Sequence, residues 1–136
     1  MKRLVVDTGV FSASLSRRFR PQFEPHLKAL VGSRILLATQ SVAELHYGAL
    51  VAGWGDPRNL RLEIAIAAAR VIPVTEALVD EVARLRFECR KKGHPLQSEA
   101  HNADLWIAAT ARHINTSLLT ADNVFDGVPG LRLEPT

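Results

Sequence analysis

The sequence predicts an α/β fold of three layers: a central, mainly parallel sheet of four to five strands, with helices on both faces. Three observations predict it. Short apolar runs at residues 3–7, 34–38, 71–74 and 117–120 have the length and character of buried strands. The segments between them carry apolar residues at helical spacing. Strands that alternate with helices pair in parallel, because each helix carries the chain back across a face of the sheet. With 136 residues and no internal repeat, low-complexity tract or linker, the chain suits a single domain, 1–136.

The first strand ends in Asp7-Thr8, which opens a short helix to about residue 15. Residues 16–20 are polar and basic, and Pro21 and Pro25 punctuate the stretch after them. A second helix runs to Val31, with Leu27, Leu30 and Val31 on one face and Gly32 as its stop. Residues 39–53 read as a third helix whose inward stripe is Val42, Leu45, Ala49 and Ala52. Asp56-Pro57 supplies a cap and an initial proline for a fourth. There Leu60, Ile64, Ala67 and Val71 recur at helical spacing and predict the buried face. Pro73 puts the third strand at a sheet edge or strand end. Thr75 opens a long helix that stops before Gly93, with Leu78, Val82, Leu85 and Cys89 as its seam and Glu88 and Lys92 as an i, i+4 ion pair. A loop over 94–101 leads to a helix reaching about residue 114. A final short strand is expected at 131–133.

Apolar residues make up 47% and charged residues 23%, as in soluble globular proteins. The single cysteine, Cys89, excludes an intrachain disulfide and fits a reducing compartment. Three apolar residues between Arg3 and Asp7 are too few for a signal peptide, and no run of about 18 apolar residues occurs. The expected location is therefore the cytoplasm, away from membranes. Net charge is +3. A basic surface around a pocket of gathered acids suits a polyanion held beside bound cations.

Four acids stand at the ends of apolar elements. Asp7 follows the first strand, and Asp122 follows the fourth in Leu119-Thr120-Ala121-Asp122. Glu44 lies one turn into the third helix, in Ser41-Val42-Ala43-Glu44. Asp104 is in the first turn of the alanine-rich helix Asn102-Ala103-Asp104-Leu105-Trp106-Ile107-Ala108-Ala109-Thr110-Ala111. Each has a purely structural reading. Glu44 could close a capping box with Ser41, Asp104 could complement a helix dipole, Asp7 could cap a helix, and Asp122 could stabilise a turn. Taken together they say more. Ligands of open parallel sheets bind beyond the carboxyl ends of the strands, and all four acids can face that edge. Burying an unpaired carboxylate is costly, and a divalent cation removes the cost. Oxygen donors select a hard ion such as Mg²⁺ or Mn²⁺, with no Cys/His set to hold a softer one.

Leu4-Val5-Val6-Asp7-Thr8, Ser41-Val42-Ala43-Glu44-Leu45, the Asp104 helix and Leu119-Thr120-Ala121-Asp122 resemble the four motifs of PIN-domain nucleases. The compact length and Val128-Pro129-Gly130-Leu131 look most like the VapC toxins of bacterial toxin–antitoxin pairs. The resemblance spans residues 4–133. It implies an endoribonuclease that uses one or two Mg²⁺ or Mn²⁺ ions and leaves a 5′-phosphate and a 3′-hydroxyl. By position, Asp7, Glu44, Asp104 and Asp122 match the acidic quartet, as catalytic and metal-holding residues. Thr8 and Thr120 match hydroxyl residues beside the first and fourth acids, and Asp126 could share the role of Asp122. The resemblance also implies RNA as substrate, a cognate antitoxin protein and a homodimer.

Arg17, Arg18 and Arg20 form a basic loop near the expected mouth of the site and are candidates for RNA contact. Arg84, Arg86, Arg90, Lys91 and Lys92 fit a solvated helix face. Trp54, between two glycines, is either an interface residue or a core-edge one. His101 could approach the metal from the Asp104 helix. Competing classes fare worse. A phosphoaspartate enzyme would want a second acid where Gly9 stands. The intact quartet argues against a silent binding module. The same chemistry acting on DNA or in RNA processing stays open.

Overall fold

The computed structural model describes residues 1–16, 18 and 20–136. Its sheet holds four strands, β1 (Lys2–Val6), β2 (Ser33–Ala38), β3 (Arg70–Ile72) and β4 (Leu118–Leu119), in the order β3-β2-β1-β4. All pairs are parallel, with Val5 opposite Leu36 on one side and Leu118 on the other. The six α-helices are α1 (Thr8–Leu15), α2 (Glu24–Leu30), α3 (Thr39–Val51), α4 (Asp56–Ala68), α5 (Glu76–Lys92) and α6 (Asn102–His113). The expected last strand at 131–133 contributes one parallel bridge, Leu133 to Leu118. β3 does lie at the sheet edge, where Pro73 just beyond it removes no inner ladder bond.

Alternation along the strands builds the three layers. Val5, Leu36, Ala38 and Leu118 point to one face and pack with Leu78, Val82 and Leu85 of α5 and Leu105, Ile107 and Ala108 of α6. Leu4, Val6, Leu37 and Leu119 point to the other and pack with Val10 and Phe11 of α1, Leu45 and Ala49 of α3 and Leu62 of α4. Each fully buried aliphatic side chain stabilises the fold by about 1.5–3 kcal/mol. The α5 seam is as expected, and burial pushes the Cys89 thiol up, leaving it protonated and inert. Thr75 caps that helix by accepting from the Leu78 N–H at 3.2 Å, and Gly93 ends it at φ +75°, a conformation glycine adopts without strain. No helix of the described residues is long and apolar enough to cross a membrane.

Four expectations need correction. Ala52, expected in the inward stripe of α3, is exposed at the C-cap just past the helix. The stripe predicted for α4 faces solvent: Leu60 and Ile64 are exposed, while Leu62 is buried with Ile66 and Ala69 packed beside it. The helix is apolar on two sides, and contact with the sheet selects the second. Val31 is exposed beyond the end of α2. Glu88 and Lys92 do not pair; Glu88 accepts from Arg112 at 2.7 Å and Lys92 donates to the Gly127 carbonyl at 2.7 Å. Arg112 also pairs with Glu81 and donates to the Pro129 carbonyl, tying the C-terminal loop to α5 and α6.

The phase of α4 is open to measurement. Leu62→Ala (2% exposed) should lower unfolding free energy by about 2–4 kcal/mol, against at most about 0.5 kcal/mol for Ile64→Ala (59% exposed), by urea denaturation. The reverse ranking would restore the phase that buries Leu60 and Ile64.

Candidate active site

The chain runs outward from β1 to β2 and β3, then returns to place β4 on the far side of β1. The reversal falls between β1 and β4, the position where open parallel sheets bind ligands. Asp7 follows β1 there, and Asp122 follows β4.

Asp7 is buried, 7% exposed. Its Oδ1 accepts from the Val10 N–H at 2.9 Å, capping α1, and its Oδ2 accepts from the Thr120 hydroxyl. Its own N–H donates to the Leu119 carbonyl at 3.1 Å, which locks it to β4. Burial pushes the carboxyl above the usual aspartate range. The Thr120 hydroxyl and Val10 N–H oppose that shift, and the charges of Asp122 and Asp104 add to it.

The other three acids come from separate elements. Glu44 accepts from the Thr8 hydroxyl at 2.8 Å. The capping box does not form, because α3 already begins at Thr39 and Ser41 lies inside it, its hydroxyl buried without a partner. Asp104, in the first turn of α6, is half-buried and stands 3.3 Å from His101 Nδ1. Asp122 is exposed; its Oδ1 accepts from the Val124 N–H at 2.9 Å, capping a short 3-10 turn at Asn123–Phe125. Thr120 joins two of the acids, since its hydroxyl also accepts from the Asp122 N–H at 3.0 Å.

One cleft of about 420 Å³ collects these groups: Asp7, Thr8, Glu44, Asp104 and Asp122 line it, with Phe23 and Ile107 as apolar walls. Among the described residues, no basic side chain lines it. Sequence reasoning misses Phe23; it has no motif, and only the 3-10 turn Pro21–Phe23 carries it to the cleft. Asp126 is exposed and outside the lining, with its carbonyl accepting from His94 Nε2 at 2.8 Å. His94 Nδ1 meanwhile accepts from the Leu96 N–H at 3.1 Å, which leaves Nε2 to carry the proton. Of the basic candidates, Arg18 and Arg20 line a different cleft, and Arg17 lies outside the described residues. Trp54 packs at the edge of the α1–α3–α4 core.

Burial disfavours the charged form of Asp7, so its effect on stability has a definite sign. Its folded-state pKa lies above the unfolded value, so the folded state holds the extra proton between the two. Stability is fully present below the unfolded value and is lost as pH rises through the folded one. In chelator, Asp7→Asn, which keeps an N-cap acceptor, should melt higher than wild type at pH 7, with the difference vanishing in acid. Equal melting temperatures across that range would mean the carboxylate is fully compensated by the protein.

Comparison with known proteins agrees with the geometry. The PIN domain family model matches residues 4–131. Ribonuclease VapC5 of Mycobacterium tuberculosis is 32% identical over 128 residues, covering 93% of this chain and 87% of that protein. VapBC2 from Rickettsia felis, solved bound to a DNA fragment from its promoter, superposes with a TM-score of 0.78 at 23% identity, over 97% of each chain. A toxin–antitoxin complex from Klebsiella pneumoniae gives a TM-score of 0.70 at 20% identity, over 94% of each.

Proposed function

The chain belongs to the PIN-domain family, and on that premise we propose that it is a metal-dependent endoribonuclease acting as the toxin of a toxin–antitoxin pair. One observation carries the reading. Four acids from four separated segments line one cleft at the strand-order reversal, with no cation among the described side chains that line it. Carboxylates alone would repel a phosphodiester.

The donor set fits a hard divalent ion, Mg²⁺ or Mn²⁺, singly or as a pair: it is all oxygen, and it includes a buried carboxyl group that has no cationic partner among the described residues. Asp7, Glu44, Asp104 and Asp122 would hold it. Among the described residues no group of three or more His, Cys, Asp or Glu is already set to hold an ion, so binding would draw the more exposed acids toward Asp7. A bound ion lowers the pKa of its water and polarises a phosphoryl oxygen.

The chain's own residues supply position. The α1 cap and Thr120 fix Asp7, Thr8 steers Glu44, and the 3-10 turn aims Asp122. Asp126 receives no role in this reading. RNA is the substrate by analogy with the ribonuclease relative, and the antitoxin partner by analogy with the Klebsiella complex. A homodimer belongs to the same reading. Tyr47, Leu50 and Val51 of α3 and Leu60 and Ile64 of α4 are exposed apolar side chains of the kind a partner covers.

Asp104→Asn should keep the fold and lower Mn²⁺-dependent cleavage of total RNA by about 100-fold or more, since even outer-shell changes at metal sites cost about 10–100-fold. Discrete fragments that vanish with chelator and with this variant establish the reading. A fully active variant would sink the site assignment.

A further inference from the structure

A second cleft, of about 650 Å³, shares α1 with the acidic one and carries the opposite charge. Arg18 and Arg20 line it from the loop after α1, and Arg58 and Arg61 from α4, one turn apart. No acid lines it among the described residues. None of these four guanidiniums pairs with a carboxylate among the described residues, whereas Arg84, Arg86 and Arg112 each do. Trp54 lines the same cleft. Its backbone is fixed on both sides, its N–H donating to the Ala49 carbonyl at 3.1 Å and its carbonyl accepting from the Asn59 side chain at 3.0 Å.

Two segments border both clefts. Asp7 and Thr8, at the start of α1, face the acidic cleft, and Ser12 and Leu15, further along, face the basic one. The eight residues of α1 span about 12 Å. The following stretch likewise gives Arg20 to the basic cleft and Phe23 to the acidic one.

We propose that the basic cleft is a binding site for single-stranded RNA flanking the cleavage point. Arg20, Arg58 and Arg61 hold phosphates there, and a base stacks on Trp54. The proposal rests on the nuclease reading for the location of the scissile bond. Arginine suits the task because its planar fork binds phosphate through two parallel hydrogen bonds. Four unpaired guanidiniums beside an indole make a better site for a strand with phosphates and bases than for an acidic peptide, which offers nothing to stack.

The test measures binding of a labelled short oligouridine in the Asp104→Asn background, with chelator present so that the strand stays intact. Binding is followed across a salt series and compared with Arg58→Gln/Arg61→Gln added. Both arginines are exposed, so the fold should hold, and Arg58→Lys/Arg61→Lys serves as the charge-conserving control. Each phosphate contact to a single strand contributes about 0.7 to the slope of log K against log salt. The Gln pair should therefore bind with a slope shallower by about 1.4, and the Lys pair should restore it. In a Trp106→Phe background, RNA should quench the emission of Trp54. An unchanged slope overturns the proposal, as does a parent that binds no oligouridine at low salt. A Gln pair that loses affinity for poly-glutamate while keeping its RNA slope also overturns it, and makes the cleft a site for acidic peptide. Cleavage by the wild type in Mn²⁺ is scored separately. Cleavage with an unchanged slope removes the basic cleft alone, whereas arginine-dependent binding without cleavage supports the cleft and removes the nuclease reading.

Discussion

Asp7 holds its carboxylate at the end of an inner strand, buried, where desolvation disfavours the very charge it carries. The local structure uses that carboxylate twice, as the cap of α1 and as the acceptor of the Thr120 hydroxyl. Both bonds fix its position, and neither supplies a full positive charge. The neighbouring acids make the burden heavier. A protein that only needed a helix cap could use serine or asparagine without that burden. A carboxyl group at this point, where a neutral cap would serve the helix, is the physical reason to read the cleft as built around a cation.

The rest of the fold arranges what surrounds that point. The sheet order puts β4 beside β1, so the chain's return delivers Asp122 opposite Asp7. The loop that carries Asp122 onward is held from behind. His94, Lys92 and Arg112 donate to the carbonyls of Asp126, Gly127 and Pro129, and Phe125 and Val128 are buried beneath it. Thus α5 and α6, which line one face of the sheet, also set the position of a loop at its edge. On the other face, α1 separates a cleft lined by acids from one lined by arginines, four of each among the described residues. That segregation suits a polyanion bound along the surface and engaged at one phosphate.

Much of this was legible in the sequence. The strands announced themselves as short apolar runs, and the α5 seam as a regular spacing of Leu78, Val82, Leu85 and Cys89. The four acids were legible because two follow apolar strands directly and two sit in the opening turns of apolar helices, and their meeting in one cleft follows from a parallel sheet. What was not legible has physical reasons. The fourth helix is apolar on two sides, so Leu60/Ile64 and Leu62/Ile66 satisfy the same periodicity, and packing alone decides between them. Ser41-Val42-Ala43-Glu44 has the form of a capping box, yet the helix starts two residues earlier and frees Glu44 for Thr8. Glu88 found a partner on another helix that local spacing could not show. Arg58, Arg61 and Trp54 join Arg20 across some forty residues of chain, a juxtaposition only the fold makes.

If a divalent ion completes the acidic cleft, it relieves the charge of Asp7 and must stabilise the folded state. The most direct measurement is the melting temperature of the wild-type protein at pH 7 as Mn²⁺ is titrated in. A ligand that binds only the folded state stabilises it by RT ln(1 + [L]/Kd), about 2.7 kcal/mol at one hundred times Kd. The melting temperature should rise by several degrees, continue upward with the logarithm of Mn²⁺ concentration, and fall back when chelator is added. A melting temperature indifferent to Mn²⁺ up to millimolar concentration would contradict it, leaving the four acids as caps and turn residues of a fold without a metal.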